Sequence, residues 1–277
     1  MNKITSTEDH LKWFCGFFDG KGSLSIDKDN IPSIYLNNED PKVTMFSKYI
    51  LNKYDVEVKV SERSRPSKSS KKSRWDLYIS DRKNCIKTAA IMSGHSIVKK
   101  NQFDVILKLE HKKSGISDKM NFEKAKNYYP IGSDSKEIST NDFNDKLWFI
   151  GMFDALYEIG VEHRQSKDRD RDEIKPYLKI EHTNKFLIEQ VCSYLKNNKI
   201  SYHIKCIDGK ERLKWHVLTS GIFRVKNFIE NIREYSILKQ EALDTMYFFI
   251  MDVIIGKKSN DDFKYSFKKT IDSISKR

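Results

Sequence analysis

The sequence has few features of a secreted, membrane or zinc-binding protein. Its 277 residues include four cysteines, and none of them has a paired spacing such as CxxC. The seven histidines form no HExxH pattern. The most apolar window, 246–255, is too short to span a bilayer and contains Asp252. The polar start predicts no signal peptide, so we expect an intracellular protein without disulfides, membrane contact or a metal site.

Positive charge is in excess. The chain carries 51 Lys and Arg against 39 Asp and Glu, a formal net charge of +12, and 12% of its residues are aromatic. Such a composition favours a polyanionic partner, above all a nucleic acid. The alternative is an ordinary basic protein from an AT-rich genome, because Lys, Asn and Ile are abundant. That abundance is consistent with an organelle, a phage or an AT-rich bacterium as the source.

Two short segments are near copies of each other. Residues 13–20 read WFCGFFDG, and residues 148–155 read WFIGMFDA. Each copy carries small residues four positions apart, on one face of a predicted helix: Gly16 and Gly20 in the first, Gly151 and Ala155 in the second. Small residues at this spacing let two helix backbones approach closely. The repeat therefore predicts two helices packed together around a pseudo-two-fold axis.

The predicted elements also recur in the same order in both halves. In the first half we predict strands at 23–26, 34–36, 56–60 and 75–79, and helices beginning at Asp40 and Asp81 and covering 96–109. In the second half we predict strands at 177–180, 202–204 and 215–217, and helices at 184–196 and from about 220 and 237. This order indicates a duplicated α+β protein with half-domains at 1–111 and 140–277. The polar segment 112–139 is interpreted as a surface linker.

Basic residues concentrate in the hairpins and loops between predicted strands. The candidates for nucleic-acid binding are Arg63, Arg65, Lys68, Lys71, Lys72 and Arg74 in the first half, and Arg164, Lys167, Arg169, Lys205, Lys210, Arg212 and Lys214 in the second. Antiparallel ribbons fit the major groove of DNA, where alternate side chains reach base edges. A single charged loop is usually only solvated, but recurrence in both halves favours a binding face.

Residues 14–23, FCGFFDGKGS, closely resemble the motif of the LAGLIDADG homing endonuclease family in its single-chain, two-motif form. Residues 149–155 resemble it over seven of nine positions. The likeness in element order extends over roughly 7–111 and 140–256. It implies two pseudo-symmetric αββαββα half-domains with the motif helices at their interface. It also implies a saddle of two four-stranded antiparallel sheets over double-stranded DNA.

The resemblance further implies cleavage of both DNA strands with Mg²⁺ held by an acid at the eighth position of each motif. In this chain the eighth position is Lys21 in the first motif and Leu156 in the second. The glycine that follows is kept as Gly22 and replaced by Tyr157. An ammonium or isobutyl group supplies no anionic oxygen to a divalent cation. We therefore expect a degenerate active site without a cofactor, and Mg²⁺ only if the protein is still an active nuclease.

Other charged residues lie near the two motif ends. Asp19 and Asp154 precede the eighth positions by two residues and are expected to cap or brace the helix ends. Lys21 is a candidate for neutralising the negative helix ends and contacting a phosphate. The resemblance also implies a basic residue near each centre, for which Lys99 or Lys100 and Lys239 are the candidates. First-turn lysines of surface helices are an equally good interpretation of these three.

The sequence leads to one function with two alternatives. The leading hypothesis is a protein that binds double-stranded DNA in a sequence-preferring way and has lost cleavage. The first alternative is an intron maturase or ribosome-associated protein that holds structured or ribosomal RNA. The second is a still active site-specific DNA endonuclease. Because a duplicated chain forms its own pseudo-dimer, we expect a monomer.

Overall fold

The computed structural model describes residues 3–63, 73–109, 116–126, 138–165, 172–208, 213–256 and 270. The chain divides into two compact units, one formed by 4–132 and 147–155 and the other by 1–3, 133–146 and 156–277. The second motif helix is therefore part of the N-terminal unit, although it follows the linker in the sequence. No helix in the described ranges has the length and hydropathy needed to cross a membrane.

Among its described residues, the first half contains four strands and four helices, and a further helix lies in the linker segment. Its elements are α1 (Thr7–Lys21), β1 (Ser23–Ile26), β2 (Pro32–Asn38), α2 (Pro41–Asn52), β3 (Lys59–Arg63), β4 (Arg74–Ile79), α3 (Arg82–Met92), α4 (Lys100–Lys108) and α5 (Ile116–Lys126). The strands form one antiparallel sheet in the order β1-β2-β4-β3. Helices α2 and α3 pack against one face of this sheet.

The second half repeats this arrangement. Its elements are α6 (Lys146–Leu156), β5 (Glu158–Gln165), β6 (Asp172–His182), α7 (Lys185–Asn197), β7 (His203–Asp208), β8 (Leu213–Ser220), α8 (Ile222–Ile232) and α9 (Gln240–Ile254). The antiparallel sheet has the equivalent order β5-β6-β8-β7, and α7 and α8 pack against one face of it. The predicted α+β class, with an αββαββα repeat and two four-stranded antiparallel sheets, is confirmed.

Local sequence signals account for several helix starts. The side chain of Asp40 accepts a hydrogen bond from the backbone N–H of Lys42, and Pro41 occupies the first turn of α2. Asp81 accepts from the backbone N–H of Asn84 at the start of α3. Both caps match the sequence-based prediction. They satisfy backbone donors that have no partner within the helix.

Other element bounds differ from the prediction. Strand β3 begins at Lys59, and the predicted strand residues Val56 and Val58 are instead buried in the connection from α2. Helix α4 begins at Lys100 rather than at 96. The segment predicted as a surface linker contains α5, whose Phe122 is fully buried and which packs against α4 and β1. The large apolar surface of a buried aromatic side chain helps to hold this short helix against its neighbours.

Candidate nucleic-acid interface

The two motif helices touch at their backbones. A Cβ atom added at Gly16 would lie 1.9 Å from the carbonyl oxygen of Trp148, and one added at Gly151 would lie 1.8 Å from that of Trp13. No larger residue fits at either position without displacing a main chain. The close approach of α1 and α6 that the small-residue spacing predicted is therefore present at both glycines.

Two buried hydrogen bonds cross between the same helices. Trp13 Nε1 donates to Asp154 Oδ2 at 2.9 Å, and Trp148 Nε1 donates to Asp19 Oδ2 at 2.8 Å. All four side chains are buried. Sequence reasoning missed this exchange. The available signal was a tryptophan six residues before the aspartate in both copies.

Asp19 also organises the chain before α4. Its carboxylate accepts hydrogen bonds from Ser96 Oγ at 2.6 Å and from the backbone N–H groups of Ile97 at 2.8 Å, Val98 at 3.1 Å and Lys99 at 3.2 Å. The chain enters helix α4 directly after these N–H groups, at Lys100. Both oxygens of Asp19 are engaged and the residue is 1% exposed. This geometry supports a bracing role rather than a metal-binding one.

The two motif helices end in chemically different ways. Lys21, the last residue of α1, is exposed and makes no hydrogen bond or ion pair with any residue that the structure describes. Desolvation by the surrounding chain lowers the pKa of Lys21, and the carboxylate of Glu39 opposes this shift. Leu156 ends α6 and is half-buried. One helix end therefore presents a cation and the other an aliphatic group.

The residues that follow the two helices also differ. A Cβ at Gly22 would lie 2.2 Å from the ring of Phe18, so the first copy requires a glycine there. In the second copy Tyr157 is 4% exposed, and its ring meets Phe228 edge to face with centroids 5.6 Å apart. The side chain at this position has become part of a core in the C-terminal unit. At the end of the second motif, the side chain of Tyr157 therefore packs in the core of the C-terminal unit.

The donors at the motif ends do not fit a divalent cation. Lys21 and Leu156 bring no oxygen ligand, and both oxygens of Asp19 already accept hydrogen bonds. Glu158, the first acid after Leu156, is instead bonded to Tyr177 and Lys179. Within the described ranges no group of three or more His, Cys, Asp or Glu is placed to hold a metal ion.

Two of the predicted lysines contact the ends of the motif segments. Lys99 Nζ donates to the backbone carbonyl of Asp19 at 2.5 Å and lies 5.7 Å from the centroid of the Phe18 ring. Desolvation lowers the pKa of Lys99, although the Asp19 carboxylate opposes the shift. Lys239 Nζ donates to the carbonyl of Tyr157. Cations bound to carbonyls at a helix C-terminus stabilise its negative end, whereas the third candidate, Lys100, is exposed in α4.

We call the face of the first sheet that lies opposite its buried apolar side chains the first open face. All of its members are polar: Ser23 and Ser25 on β1, Ser33, Tyr35 and Asn37 on β2, Lys59, Ser61 and Arg63 on β3, and Arg74, Asp76 and Tyr78 on β4. The alternate residues, such as Ile34, Leu36 and Leu77, are buried beneath the sheet. The alternation aims a row of hydrogen-bonding groups away from the core.

The corresponding face of the second sheet, the second open face, is more heavily charged. Its members include Glu158, Glu162, Lys175, Tyr177, Lys179, Glu181, His203, Lys205, Lys214, His216 and Leu218. Glu181 is its centre, 3.1 Å from Lys179 Nζ, 2.5 Å from Lys214 Nζ and 3.3 Å from His216 Nδ1. The hydrogen bond from Lys214 is the largest cause that lowers the pKa of Glu181 to about 2.

Four of the predicted nucleic-acid-binding residues lie on these faces. Arg63 and Arg74 belong to the first open face, and Lys205 and Lys214 belong to the second. Arg164 belongs to β5. The remaining candidates lie outside the described residues: Arg65, Lys68, Lys71, Lys72, Lys167, Arg169, Lys210 and Arg212.

Comparison with known proteins agrees with this geometry. Residues 8–92 match the family model of the LAGLIDADG-like domain. The structure of the I-SmaMI LAGLIDADG homing endonuclease bound to cleaved DNA matches with a TM-score of 0.70 and 12% identity, over 97% of this chain and 96% of that one. The chain has the fold of the single-chain LAGLIDADG homing endonucleases.

Two further LAGLIDADG homing endonucleases match over almost the whole chain. I-LtrWI bound to target DNA has a TM-score of 0.66 and 15% identity, over 96% of this chain and 97% of that one. I-GzeII in complex with its DNA target has a TM-score of 0.65 and 14% identity, over 95% and 96%. At these identities the likeness establishes the fold alone. No curated protein sequence matches the chain.

Proposed function

We propose that this LAGLIDADG protein binds double-stranded DNA in a sequence-preferring way, through its open sheet faces, and does not cut it. The observation that carries the proposal is the replacement of both motif acids, by Lys21 and Leu156, in a fold whose open faces are polar and basic. Solved structures with the same fold hold DNA.

The open faces supply the two kinds of contact that such binding needs. Exposed cations such as Lys205 displace counterions from phosphates, which gives affinity without sequence preference. Side chains in alternate positions of an antiparallel ribbon meet base edges in the major groove, where each base pair offers a distinct pattern of donors and acceptors. The hydroxyl, amide and guanidinium groups of the first open face are of this second kind.

The loss of cleavage follows from the donor chemistry at the motif ends. Hydrolysis by metal ions requires anionic oxygens that hold the ions beside the scissile phosphate. Lys21 supplies instead a positive charge at the C-terminal end of α1, where the helix dipole is negative. An ammonium there attracts a phosphate directly, so the backbone is bound but no nucleophile is generated.

A selection from randomised duplex DNA tests the proposal. The full chain is incubated with the library in Mg²⁺, and the retained molecules are sequenced together with their ends. We expect enrichment of one long site recovered with intact strands. Enriched sites with cut ends would show that the protein is a nuclease, and retention without enrichment would show that it has no sequence preference.

The RNA alternative is examined in the same experiment. Structured RNA is added as a competitor to the selected duplex at several salt concentrations. Our proposal predicts that the duplex remains bound in the presence of excess RNA, whereas stronger binding of RNA would favour the maturase or ribosomal role. Light scattering of the free protein tests the expected monomer.

A further inference from the structure

Three side chains on neighbouring strands of the first open face form a connected group. Asp76 on β4 accepts a hydrogen bond from the hydroxyl of Tyr35 on β2 through Oδ1, at 2.6 Å. Its Oδ2 lies 3.0 Å from Nε of Arg63 on β3. The Asp76 side chain is 5% exposed, whereas that of Arg63 is 60% exposed. A buried carboxylate thus forms an ion pair with the base of an exposed guanidinium, and no hydrogen bond between the two is present.

The contact through Nε leaves the outer edge of the guanidinium available. Among the described residues, Arg63 has no other ion pair or hydrogen bond. Its two Nη groups are therefore free to donate in parallel, a geometry that matches the O6 and N7 acceptors of guanine in the major groove. The carboxylate also restricts a long flexible side chain before binding, which reduces the entropy lost when a base is contacted.

Tyr35 holds the carboxylate in turn. Burial, followed by the hydrogen bond to Asp76, raises the pKa of Tyr35, so its hydroxyl remains a donor near neutral pH. With one oxygen fixed by Tyr35 and the other facing Arg63, Asp76 has little freedom to rotate. The three strands thereby orient one guanidinium.

Arg74 provides a comparison within the same hairpin. It lies directly opposite Arg63 in the register of β3 and β4, on the same open face. It forms no ion pair with any part of the chain that the structure describes. The two arginines thus share charge, face and strand pair and differ in the carboxylate that orients one of them.

We propose that Arg63 reads one guanine in the bound DNA and that Asp76, held by Tyr35, is the positioning residue that fixes its guanidinium for this contact. This inference rests on the proposed function and adds to it a base and the residues that select it. The Arg63–Asp76 pair is close to neutral as a unit, so it contributes to the choice of sequence more than to general attraction.

The test compares matched alanine variants on the duplex that the wild-type protein selects. Arg63→Ala and Arg74→Ala each remove one positive charge from the same face. We expect Arg63→Ala to reduce discrimination at one G·C pair by about 5- to 150-fold, the range for one bidentate base contact. Arg74→Ala is expected to weaken binding about equally to all sequences. Equal, position-independent losses in both variants would overturn the guanine assignment.

Two further variants test the positioning role. Asp76→Asn keeps the charge of Arg63, so we expect less discrimination at the same G·C pair while binding to unrelated duplex is maintained or increased. Tyr35→Phe leaves the Asp76–Arg63 contact and is expected to give a smaller loss at that pair. A purely structural role for Asp76 predicts instead that affinity for all sequences falls together. Tyr35→Phe alone decides the question if Asp76→Asn does not fold.

The outcomes separate this inference from the proposed function. If the wild-type protein selects no duplex sequence, both fail. If it selects a site in which no G·C pair responds specifically to Arg63→Ala, sequence-preferring binding stands and the guanine assignment is wrong.

Discussion

The two open sheet faces share a topology and a register but differ in chemistry. Measured from the pairs Asn38–Trp75 and His182–Trp215, equivalent positions are Tyr35 and Lys179, Asn37 and Glu181, Asp76 and His216, Arg63 and Ile207, and Arg74 and Lys214. In the first face a carboxylate on β4 orients one arginine. In the second a carboxylate on β6 is shared among two lysines and a histidine. The two halves thus share a strand order and a register, and they differ in the polar network on the open face.

Under the proposed function, this difference assigns separate parts of DNA binding to the two faces. A carboxylate that contacts one guanidinium leaves a directional pair of donors, whereas a carboxylate shared by several cations mainly neutralises them. We therefore expect base discrimination to depend chiefly on the first open face. The second is expected to contribute affinity through its remaining free cations, such as Lys205.

The largest effect is expected from a variant that removes the structural support of the first face. In Asp19→Ala, Ser96 Oγ, three backbone N–H groups and Trp148 Nε1 lose their acceptor in a buried position. We expect the free energy of unfolding to fall by about 3–5 kcal/mol, since several buried donors are left unpaired. Urea denaturation measures the change.

Asp29→Ala is the matched control for Asp19→Ala. Asp29 is exposed in the turn between β1 and β2, and its carboxylate has no hydrogen-bond partner among the described residues. Its loss is expected to change stability by less than about 0.5 kcal/mol. Similar losses in the two variants would show that Asp19 does not brace α1 and α6.

The pH dependence of stability tests the network on the second face, because the carboxylate of Glu181 titrates in a defined range. The pKa of Glu181 falls from 4.5 to about 2 in the folded protein, so its contribution is present above pH 4.5 and is lost as the pH falls towards 2. That contribution is up to about 3 kcal/mol, since one pKa unit corresponds to about 1.4 kcal/mol. Glu181→Gln should flatten the pH dependence of stability in this window, and an unchanged profile would contradict the network.

His216 adds a second, smaller titration at higher pH. Burial lowers the pKa of His216 below its usual 6.5, although Glu181 opposes the shift. Because the unfolded chain then binds more protons just below pH 6.5, stability decreases as the pH falls through that value. His216→Gln should remove the step from the denaturation profile. A step that persists would have to come from another group.

The same Glu181→Gln variant tests the division of work in DNA binding. Among the described residues, loss of the carboxylate removes the ion pair of Lys214 and leaves that of Lys179 with Glu158. We expect the affinity to rise several-fold at low salt, with the slope of log K against log salt steeper by about 0.9 for each additional phosphate contact. The selected sequence should not change, and a changed sequence would place base reading on the second face as well.

The smallest expected effect concerns the motif ends. Lys21→Ala should weaken DNA binding a few-fold and make the salt slope shallower by about 0.9, the loss of one phosphate contact. Lys42→Ala, which removes an exposed lysine from the first turn of α2, is the control and should leave the slope unchanged. Equal slopes in the two variants would show that Lys21 does not contact the DNA.

Much of this architecture was predictable because it depends on short-range patterns. The spacing of small residues around Gly16 and Gly151 predicts the contact between the two motif helices. The capping side chains of Asp40 and Asp81 predict where two further helices begin. The repeated element order then gives the fold class.

What remained unpredictable depends on long-range pairing. Trp13 and Trp148 donate to aspartates 141 and 129 residues away in sequence. The Tyr35–Asp76–Arg63 group exists only in one register of three strands, and that register is not readable from any single segment. Likewise, the hydrogen bonds from the N–H groups that precede α4 to the carboxylate of Asp19 join residues 78 to 80 positions apart in sequence.

We have proposed that the protein binds a DNA sequence and leaves it intact. The most direct measurement titrates the selected duplex with the full chain in Mg²⁺ and in EDTA, and then resolves both strands on a denaturing gel. We expect the same affinity under both conditions and two uncut strands. Strands cut in Mg²⁺, or binding lost in EDTA, would contradict the proposed function.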